Sequence, residues 1–260
     1  AEAVASAAGM AYQGAHPVVA LYATFLNRGF DQLLMDVALH RAGVTFVLDR
    51  AGVTGADGAS HNGVWDIAMC SMIPGLRLAA PRDEETLRAR LREALDVDDA
   101  PTVIRYRKGP LPEPMPALRS VGGVDILFDE AVADSSARVL IVGTGACAPD
   151  AIDAARRLAA DGVSVTVADP QWMIPISLDL ATLAGDYDCV VSVEDGIVQG
   201  GFGWSLRESV ADTGVPVRCL GVPQGFPEHG DRAEMIAQFG YDADGIERAA
   251  RELVERISNR

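Results

Sequence analysis

The chain has 260 residues, of which 49% are hydrophobic and 23% are charged, a composition typical of a globular protein with a sizeable core. Its length suits one large domain or two ordinary ones, and no apolar run reaches the ~20 residues that a membrane-spanning helix needs. The formal net charge of −15 argues against nucleic acid or an anionic membrane as the general partner, so an anionic substrate needs local arginines or lysines.

Short apolar runs alternate with amphipathic stretches through the first part of the chain. The N-terminal stretch AEAVASAAG is typical of a helix, but no residue precedes it to cap that helix, so we expect further residues upstream. Strands are predicted at residues 16–25, 44–49 and 100–109, and helices at residues 31–43 and 83–95. Alternation of buried strands with helices predicts a parallel sheet that is covered by helices.

A change of composition divides the chain. Four prolines occur within GPLPEPMPALRS at residues 109–120, which is the composition of a linker. Beyond it, strands are predicted at residues 138–145, 163–170 and 187–195, and helices at residues 148–162 and 242–260. We therefore predict an α/β chain of two domains, each a mostly parallel sheet covered by helices. The predicted boundaries are 1–110 for the first domain, 111–121 for the linker and 122–260 for the second domain.

One loop concentrates charged residues among glycines. DRAGVTGADGASHNG, at residues 49–63, follows a predicted buried strand, and such loops lie at the edge of a parallel sheet where ligands bind. Arg50 offers a planar fork for phosphate or carboxylate, and His61 can move a proton near neutral pH. These residues alone leave a second interpretation open, in which Asp57 and His61 only brace a tight loop and Arg50 pairs with Asp49.

Several stretches stand in an order that matches one enzyme family. They are YATFLNRGFDQ, DRAGVTGADGASHNG, IPGLRLAAPRD and IRYRKG in the first half, and ADPQWMIPI, VSVEDGIVQGGFG and LGVPQGFPEHGDRAEMIAQFG in the second. The first group resembles the pyrimidine-binding domain of the 1-deoxy-D-xylulose-5-phosphate synthase family, and the second resembles its C-terminal transketolase-type domain. The resemblance implies a thiamine-diphosphate-dependent transferase of isoprenoid biosynthesis. Its members decarboxylate pyruvate and add the remaining two carbons to glyceraldehyde 3-phosphate.

The resemblance implies roles for five residues that would bind cofactor or substrate. Phe25 matches the aromatic residue that stacks on the aminopyrimidine of the cofactor, and Arg28 matches a polar residue at the rim of the active site. Tyr22, Arg50 and Lys108 match positions that hold the phosphate and the chain of the acceptor. Lys108 stands where some relatives have arginine, so it would pair with phosphate as a point charge rather than through a fork.

Three further residues receive catalytic roles from the resemblance. Asp57 and His61 match residues that contact the acceptor hydroxyls and the reaction intermediate. Glu2 matches the glutamate that hydrogen-bonds N1′ of the aminopyrimidine and so both binds and activates the cofactor. The run around Glu2 is two residues shorter than the family pattern, so either two residues are missing here or Glu2 is out of register.

The resemblance also implies that part of the enzyme lies elsewhere. The family binds the diphosphate through Mg²⁺ on an N-terminal domain, and no such motif precedes Glu2, so we expect the Mg²⁺ ligands on a missing domain or a partner chain and no metal site here. The chain alone is expected to be inactive and to work as a homodimer or hetero-oligomer. Its substrates would be a 2-oxoacid donor and a phosphorylated aldehyde acceptor. Four scattered cysteines without metal-ligand spacing favour a reducing, cytoplasmic location.

Two other classes of function stay open at the level of sequence. A split transketolase or the β subunit of a 2-oxoacid dehydrogenase shares the two-domain plan and differs in its acceptor, so fold alone does not separate them. A non-catalytic scaffold or dimerisation module is the other alternative. Such a module has no need for Phe25, Asp57, His61 and Lys108 together, which favours the enzyme.

Overall fold

A computed structural model describes residues 1–259 of the chain. Its first sheet consists of four parallel strands in the order β1-β2-β4-β3. These strands are β1 (Val18–Tyr22), β2 (Thr45–Asp49), β3 (Arg77–Ala79) and β4 (Thr102–Arg105). The helices of this part are α1 (Glu2–Ala11), α2 (Ala23–Leu26), α3 (Phe30–Gln32), α4 (Asp66–Ser71) and α5 (Glu84–Leu95).

The second sheet has six strands in the order β10-β9-β7-β8-β6-β5. They are β5 (Arg119–Val121), β6 (Val124–Glu130), β7 (Arg138–Gly143), β8 (Ser164–Pro170), β9 (Cys189–Ile197) and β10 (Val217–Val222). The pairs β5/β6 and β6/β8 are antiparallel and the others are parallel. The helices are α6 (Ala148–Ala160), α7 (Leu178–Gly185), α8 (Phe202–Ser209), α9 (Arg232–Phe239) and α10 (Ala243–Ser258).

The predicted fold class is confirmed, since both sheets have mostly parallel strands flanked by helices. Some predicted element bounds are wrong. The strand predicted at residues 16–25 ends at Tyr22, because buried Ala23 and Leu26, three residues apart, begin a helix instead. The helix predicted at residues 31–43 ends earlier: a π-helical segment, Leu33–Ala38, closes it, and Arg41 adopts a left-handed φ of 54°. Residues 119–121, placed in the predicted linker, form β5.

The two sheets share a continuous apolar core. Leu78 of β3 is fully buried and packs in one cluster with Ile126 and Met173 of the second part. The backbone of Leu78 also exchanges hydrogen bonds with Met173 and Ile174, at 2.7 to 3.2 Å. Strand β3 of the first sheet is therefore joined directly to the segment that follows β8 in the second part. No helix in residues 1–259 is long and apolar enough to cross a membrane.

Candidate active site

The carboxyl ends of β1, β2 and β4 lie side by side, because these strands are parallel neighbours. Four predicted site residues form a row there. The guanidinium carbon of Arg50 lies 4.0 Å from the ring centre of Tyr22. The Tyr22 ring stacks on Phe25 at 5.5 Å, and Phe25 meets the edge of His61 at 5.9 Å. The sequence prediction that these side chains belong to one place agrees with this arrangement.

Local geometry explains how the row forms. Tyr22 is the last residue of β1 and Phe25 lies in α2, so the change from strand to helix brings their rings onto one side. Phe25 keeps 42% of its surface exposed, so part of its ring can contact a flat ligand. Arg50 has a left-handed φ of 58°, and its ion pair with Asp49 helps to hold that conformation.

Asp57 and Lys108 form an ion pair beside the row. Lys108 Nζ lies 2.6 Å from Asp57 Oδ1, and the other oxygen, Oδ2, is buried without a hydrogen-bond partner among residues 1–259. The hydrogen bond from Lys108, together with its charge and that of Arg50, holds the pKa of Asp57 below its usual range. Asp57 is therefore a carboxylate near neutral pH, held in place by its ion pair with Lys108.

His61 is oriented by the residues around it. Its Nδ1 lies 2.9 Å from Ser60 Oγ, and the hydroxyl of Thr24 donates to the carbonyl of Ser60 at 3.0 Å. These contacts tie the loop to the start of α2, where Phe25 lies. His61 is half-buried and its other ring nitrogen makes no hydrogen bond within the described residues. The imidazole can thus exchange a proton with a molecule bound against Phe25.

Asn62 is a site residue that the sequence reasoning missed. It is fully buried, and its side-chain oxygen accepts from the backbone N–H of Thr54 at 2.8 Å. Its amide donates to the carbonyls of Gly58 at 3.1 Å and Pro227 at 3.3 Å. One side chain therefore closes the loop and anchors it to the second domain. The available signal in the sequence was the asparagine next to His61 in SHNG. Its amide needs hydrogen-bond partners wherever it is buried, because an unpaired amide is costly to bury.

A second missed residue, Asp195, comes from the end of β9. It is buried, and its Oδ1 accepts from the backbone N–H of Val53 at 3.0 Å and from the hydroxyl of Tyr241 at 2.9 Å. Its Oδ2 pairs with Arg232 Nη2 at 2.7 Å. Burial raises the pKa of Asp195, but the charges of Arg232 and Arg105 outweigh this and hold the pKa below its usual range. The loop with Asp57 and His61 thus rests on an ionised carboxylate of the second domain.

Gly52 permits this close approach. Its φ is 79°, and a Cβ built on it would lie 2.0 Å from Asp195 Oδ2, far inside van der Waals contact. A side chain here would therefore displace the carboxylate that receives Val53. This glycine of the DRAG sequence is needed for contact between domains as well as for turning the chain.

Two other predicted site residues, Arg28 and Glu2, lie outside the row of side chains. Arg28 lies 6.0 Å from the ring centre of Phe25, and its side chain is exposed. Glu2 is the first residue of α1, is exposed, and makes no hydrogen bond or ion pair within residues 1–259. The start of α1 lies near Arg28 in space, since a Cβ on Gly29 would come within 2.9 Å of Val4 Cγ2. Glu2 is therefore near the row without touching it.

The residues present fit one end of thiamine diphosphate. Phe25 offers exposed ring surface to a heterocycle, and the imidazole of His61 lies beside it. A Mg²⁺-diphosphate end needs several oxygen ligands, and no group of three metal-ligating side chains occurs among the described residues. The four cysteines are all free, and three of them are buried.

Comparison with known proteins identifies both halves. The model of the transketolase pyrimidine-binding domain matches residues 1–114, and that of the transketolase C-terminal domain matches residues 130–246. The 1-deoxy-D-xylulose-5-phosphate synthase of Corynebacterium glutamicum (strain R) is 51% identical over 94% of this chain and 39% of its own length. The 1-deoxy-D-xylulose-5-phosphate synthase 2 of Kitasatospora griseola is 52% identical over 97% of this chain and 40% of its own.

A solved structure has the same fold. It is described as a split gene transketolase, inactive beta4 tetramer, and it matches with a TM-score of 0.83 at 25% identity, over 98% of this chain and 81% of its own. The chain spans about two fifths of the length of the curated relatives named above. With a pyrimidine-binding domain followed by a C-terminal domain, both of transketolase type, the chain belongs to the transketolase family and is similar to 1-deoxy-D-xylulose-5-phosphate synthases over nearly all its length.

Proposed function

We propose that this chain supplies the pyrimidine-binding and acceptor-binding part of a thiamine-diphosphate-dependent carboligase resembling 1-deoxy-D-xylulose-5-phosphate synthase. The reaction would decarboxylate pyruvate and join the remaining two carbons to glyceraldehyde 3-phosphate, in isoprenoid biosynthesis. One observation carries the proposal. The row from Arg50 through Phe25 to His61 and the Asp57–Lys108 pair share one sheet edge, in a chain about half identical to such synthases.

Each side chain has a physical role in this proposal. Phe25 would stack on the aminopyrimidine, and Glu2 would accept or share a proton at N1′ of that ring. When bound, thiamine diphosphate supplies the electron sink that the loss of carbon dioxide requires. Asp57 and His61 would contact the acceptor hydroxyls, with His61 moving a proton near neutral pH.

The cationic residues would select a phosphorylated acceptor. Arg50 and Lys108 lie at the ends of neighbouring strands and would bind the phosphate, while Tyr22 and Arg28 would border the acceptor chain. The net charge of −15 repels anions in general, so these local cations have to supply the attraction. The ion pair with Asp57 weakens the attraction of Lys108 for a phosphate only partly, because an ammonium group has three hydrogen-bond donors.

The diphosphate and Mg²⁺ would be bound by another region or a partner chain, in a homodimer or hetero-oligomer of the cytoplasm. This chain alone would then be inactive. The chain covers only about two fifths of these relatives' length, which supports a further region or partner, and the four free cysteines support a reducing cytoplasm. A split transketolase is the second candidate, favoured by the split-gene neighbour in the comparison of structures.

The test begins with native mass spectrometry of protein purified untagged from its source, to find any partner chain and bound thiamine diphosphate. Carbon dioxide release from pyruvate is then measured with and without glyceraldehyde 3-phosphate. We expect Lys108→Met to raise the KM of the phosphorylated acceptor at least tenfold while decarboxylation of pyruvate alone persists. Arg92→Ala removes an exposed positive charge elsewhere and is the matched control.

Three results would contradict the proposal. Product formation from a ketose phosphate or hydroxypyruvate but not from pyruvate would identify a transketolase. Turnover that is unchanged in Lys108→Met, Asp57→Asn and His61→Ala would show that the row and the ion pair do not act on the acceptor. Assembly without any cofactor or turnover would favour the scaffold.

A further inference from the structure

A cavity of about 330 Å³ lies behind the candidate active site, where the two domains and the Pro-rich segment meet. Its wall combines residues from the ends of β2 and β4, the start of α5, residues 109–112, and Ala146 and Asp195 of the second domain. None of the eight predicted site residues lines it. Its volume is at the lower end of the roughly 300–1,000 Å³ found for ligand pockets.

Two buried arginines face this cavity with unused donors. Arg82 and Arg105 are only 5% and 4% exposed, and both belong to the lining. Arg82 donates through Nε to Met115 O and through Nη1 to two aspartates, which leaves Nη2 without an acceptor in residues 1–259. Arg105 donates through Nε and Nη2, which leaves its Nη1 without an acceptor in residues 1–259 as well. Neither nitrogen is among the buried unpaired side-chain atoms of the described residues, so each is accessible to a water or a ligand in the cavity.

A third arginine in the lining, Arg107, is only half-buried. It has no ion pair within the described residues, whereas Arg105 and Lys108 on either side both have one. Its guanidinium lies against Gly109, where φ is 127° and the chain enters the Pro-rich segment. Arg107 is thus placed at the entrance of the cavity with its charge uncompensated.

The carboxylates of the wall are all engaged with other groups. Asp49 pairs with Arg50, and Asp195 pairs with Arg232. Asp83 accepts hydrogen bonds from the backbone N–H groups of Thr86 and Met115. Apart from Asp195 Oδ2, which has its ion pair with Arg232 but no hydrogen bond, the free hydrogen-bonding capacity of these charged side chains belongs to donors, and it favours an anion.

The rest of the lining, apart from the phenol of Tyr106, is largely apolar. It includes the side chains of Leu87, Leu111, Pro110, Pro112 and Ala51. An inorganic anion would leave this surface uncovered, whereas an anion with an apolar body would contact both kinds of wall. From this geometry we infer that the cavity binds a small organic carboxylate, whose charged end meets Arg82, Arg105 and Arg107 and whose apolar body lies under the Pro-rich segment.

Benzoate is a suitable probe, with benzamide as its neutral isostere and inorganic phosphate as the anion without an apolar body. Binding is measured by calorimetry on the protein as purified from its source, including any further region or partner. We expect one benzoate per chain and no measurable binding of the other two at equal concentration. Arg107→Ala should weaken benzoate binding at least tenfold, and Ala146→Leu, which fills the cavity, should do the same. Arg92→Ala is the matched control and should change nothing.

The active site contains cations of its own, and Lys108→Ala separates the two sites. Benzoate binding that survives in Lys108→Ala and fails in Arg107→Ala supports the cavity, whatever reaction the enzyme performs. Binding that fails in Lys108→Ala and persists in Arg107→Ala and Ala146→Leu places the probe in the active site and overturns the inference. Absence of benzoate binding to the unmodified protein also overturns it.

Discussion

Lys108 Nζ and Asp57 Oδ1 lie 2.6 Å apart and join the segment after β4 to the glycine-rich loop. Lys108 is the only lysine in the sequence, so no neighbouring lysine can replace it. The pair keeps the Asp57 side chain ionised and fixed in place before any substrate arrives. Under the proposed function, an acceptor phosphate that reaches Lys108 would meet a cation whose position is already set, which lowers the entropy cost of binding.

Replacing Lys108 should change the titration of Asp57. In Lys108→Met the main hydrogen bond and charge that lower the pKa of Asp57 are gone, while burial still raises it, so the pKa should rise. A ¹³C carboxyl NMR titration measures this directly. Arg92→Ala should leave the Asp57 titration where it is. An unchanged titration in Lys108→Met would mean that the ion pair does not persist in solution.

Removing the Asn62 side chain should loosen the loop without unfolding the protein. Asn62→Ala leaves the Thr54 N–H and the Pro227 carbonyl without partners, at a cost of about 1–3 kcal/mol. Amide exchange of residues 54–63 should become faster, while exchange in β2 stays slow, because the strand keeps its own ladder.

An exposed amide elsewhere in the first domain supplies the comparison. Asn27→Ala should leave exchange in residues 54–63 unchanged, since Asn27 makes no side-chain hydrogen bond within residues 1–259. Equal exchange rates in Asn62→Ala and the unmodified protein would show that the loop is held by its glycine turns instead.

The ion pair between Arg232 and Asp195 should stabilise the contact between domains. In Arg232→Met the buried Asp195 loses its nearest cation, and breaking a buried pair in this way costs about 3–5 kcal/mol. The midpoint of urea unfolding should fall accordingly. Arg256→Met, at an exposed position of α10, should shift the midpoint little. Similar midpoints for the two variants would contradict a structural role for the pair.

Local patterns were sufficient to predict part of this molecule. The β-branched run at 44–49 and the acidic start of 83–95 correspond to β2 and α5, because burial and capping act over a few residues. Asp83 caps α5 by accepting from Thr86 N at 2.9 Å. The grouping of Tyr22, Arg50 and Lys108 as acceptor-binding residues came from the family resemblance rather than from a local pattern, and it stays a prediction.

Contacts between distant segments could not be predicted in the same way. Nothing near Asp195 in the sequence indicates that it would accept from Val53, because that hydrogen bond depends on how two sheets pack. The antiparallel pairing of β6 with β8 could not be predicted for a related reason. The strand is buried on both faces near Val124 and Ile126, so its sequence lacks the alternation of apolar and polar residues that is typical of an antiparallel strand. The cavity behind the site likewise depends on packing of the Pro-rich segment, which composition describes only as a linker.

Glu194 should make the stability of the protein depend on pH. It is buried beside Asp195 and accepts from the backbone N–H groups of Phe202 at 2.8 Å and Gly203 at 2.9 Å. Burial nevertheless raises its pKa to about 7. Between the ordinary glutamate pKa and about 7, the folded state keeps a proton that the unfolded chain releases. The free energy of unfolding should therefore fall as pH rises through this window and level off above it.

Glu194→Gln should remove this contribution while keeping the shape of the side chain. Urea unfolding at a series of pH values from about 4.5 to 8 gives the slope for each protein. We expect the slope of the variant to be smaller in magnitude by up to about 1.4 kcal/mol per pH unit, the value for one proton. Glu113→Gln, at an exposed position of the Pro-rich segment, should keep the original slope. Parallel curves for Glu194→Gln and the unmodified protein would mean that Glu194 is ionised throughout, with its charge stabilised by the two N–H groups at the start of α8.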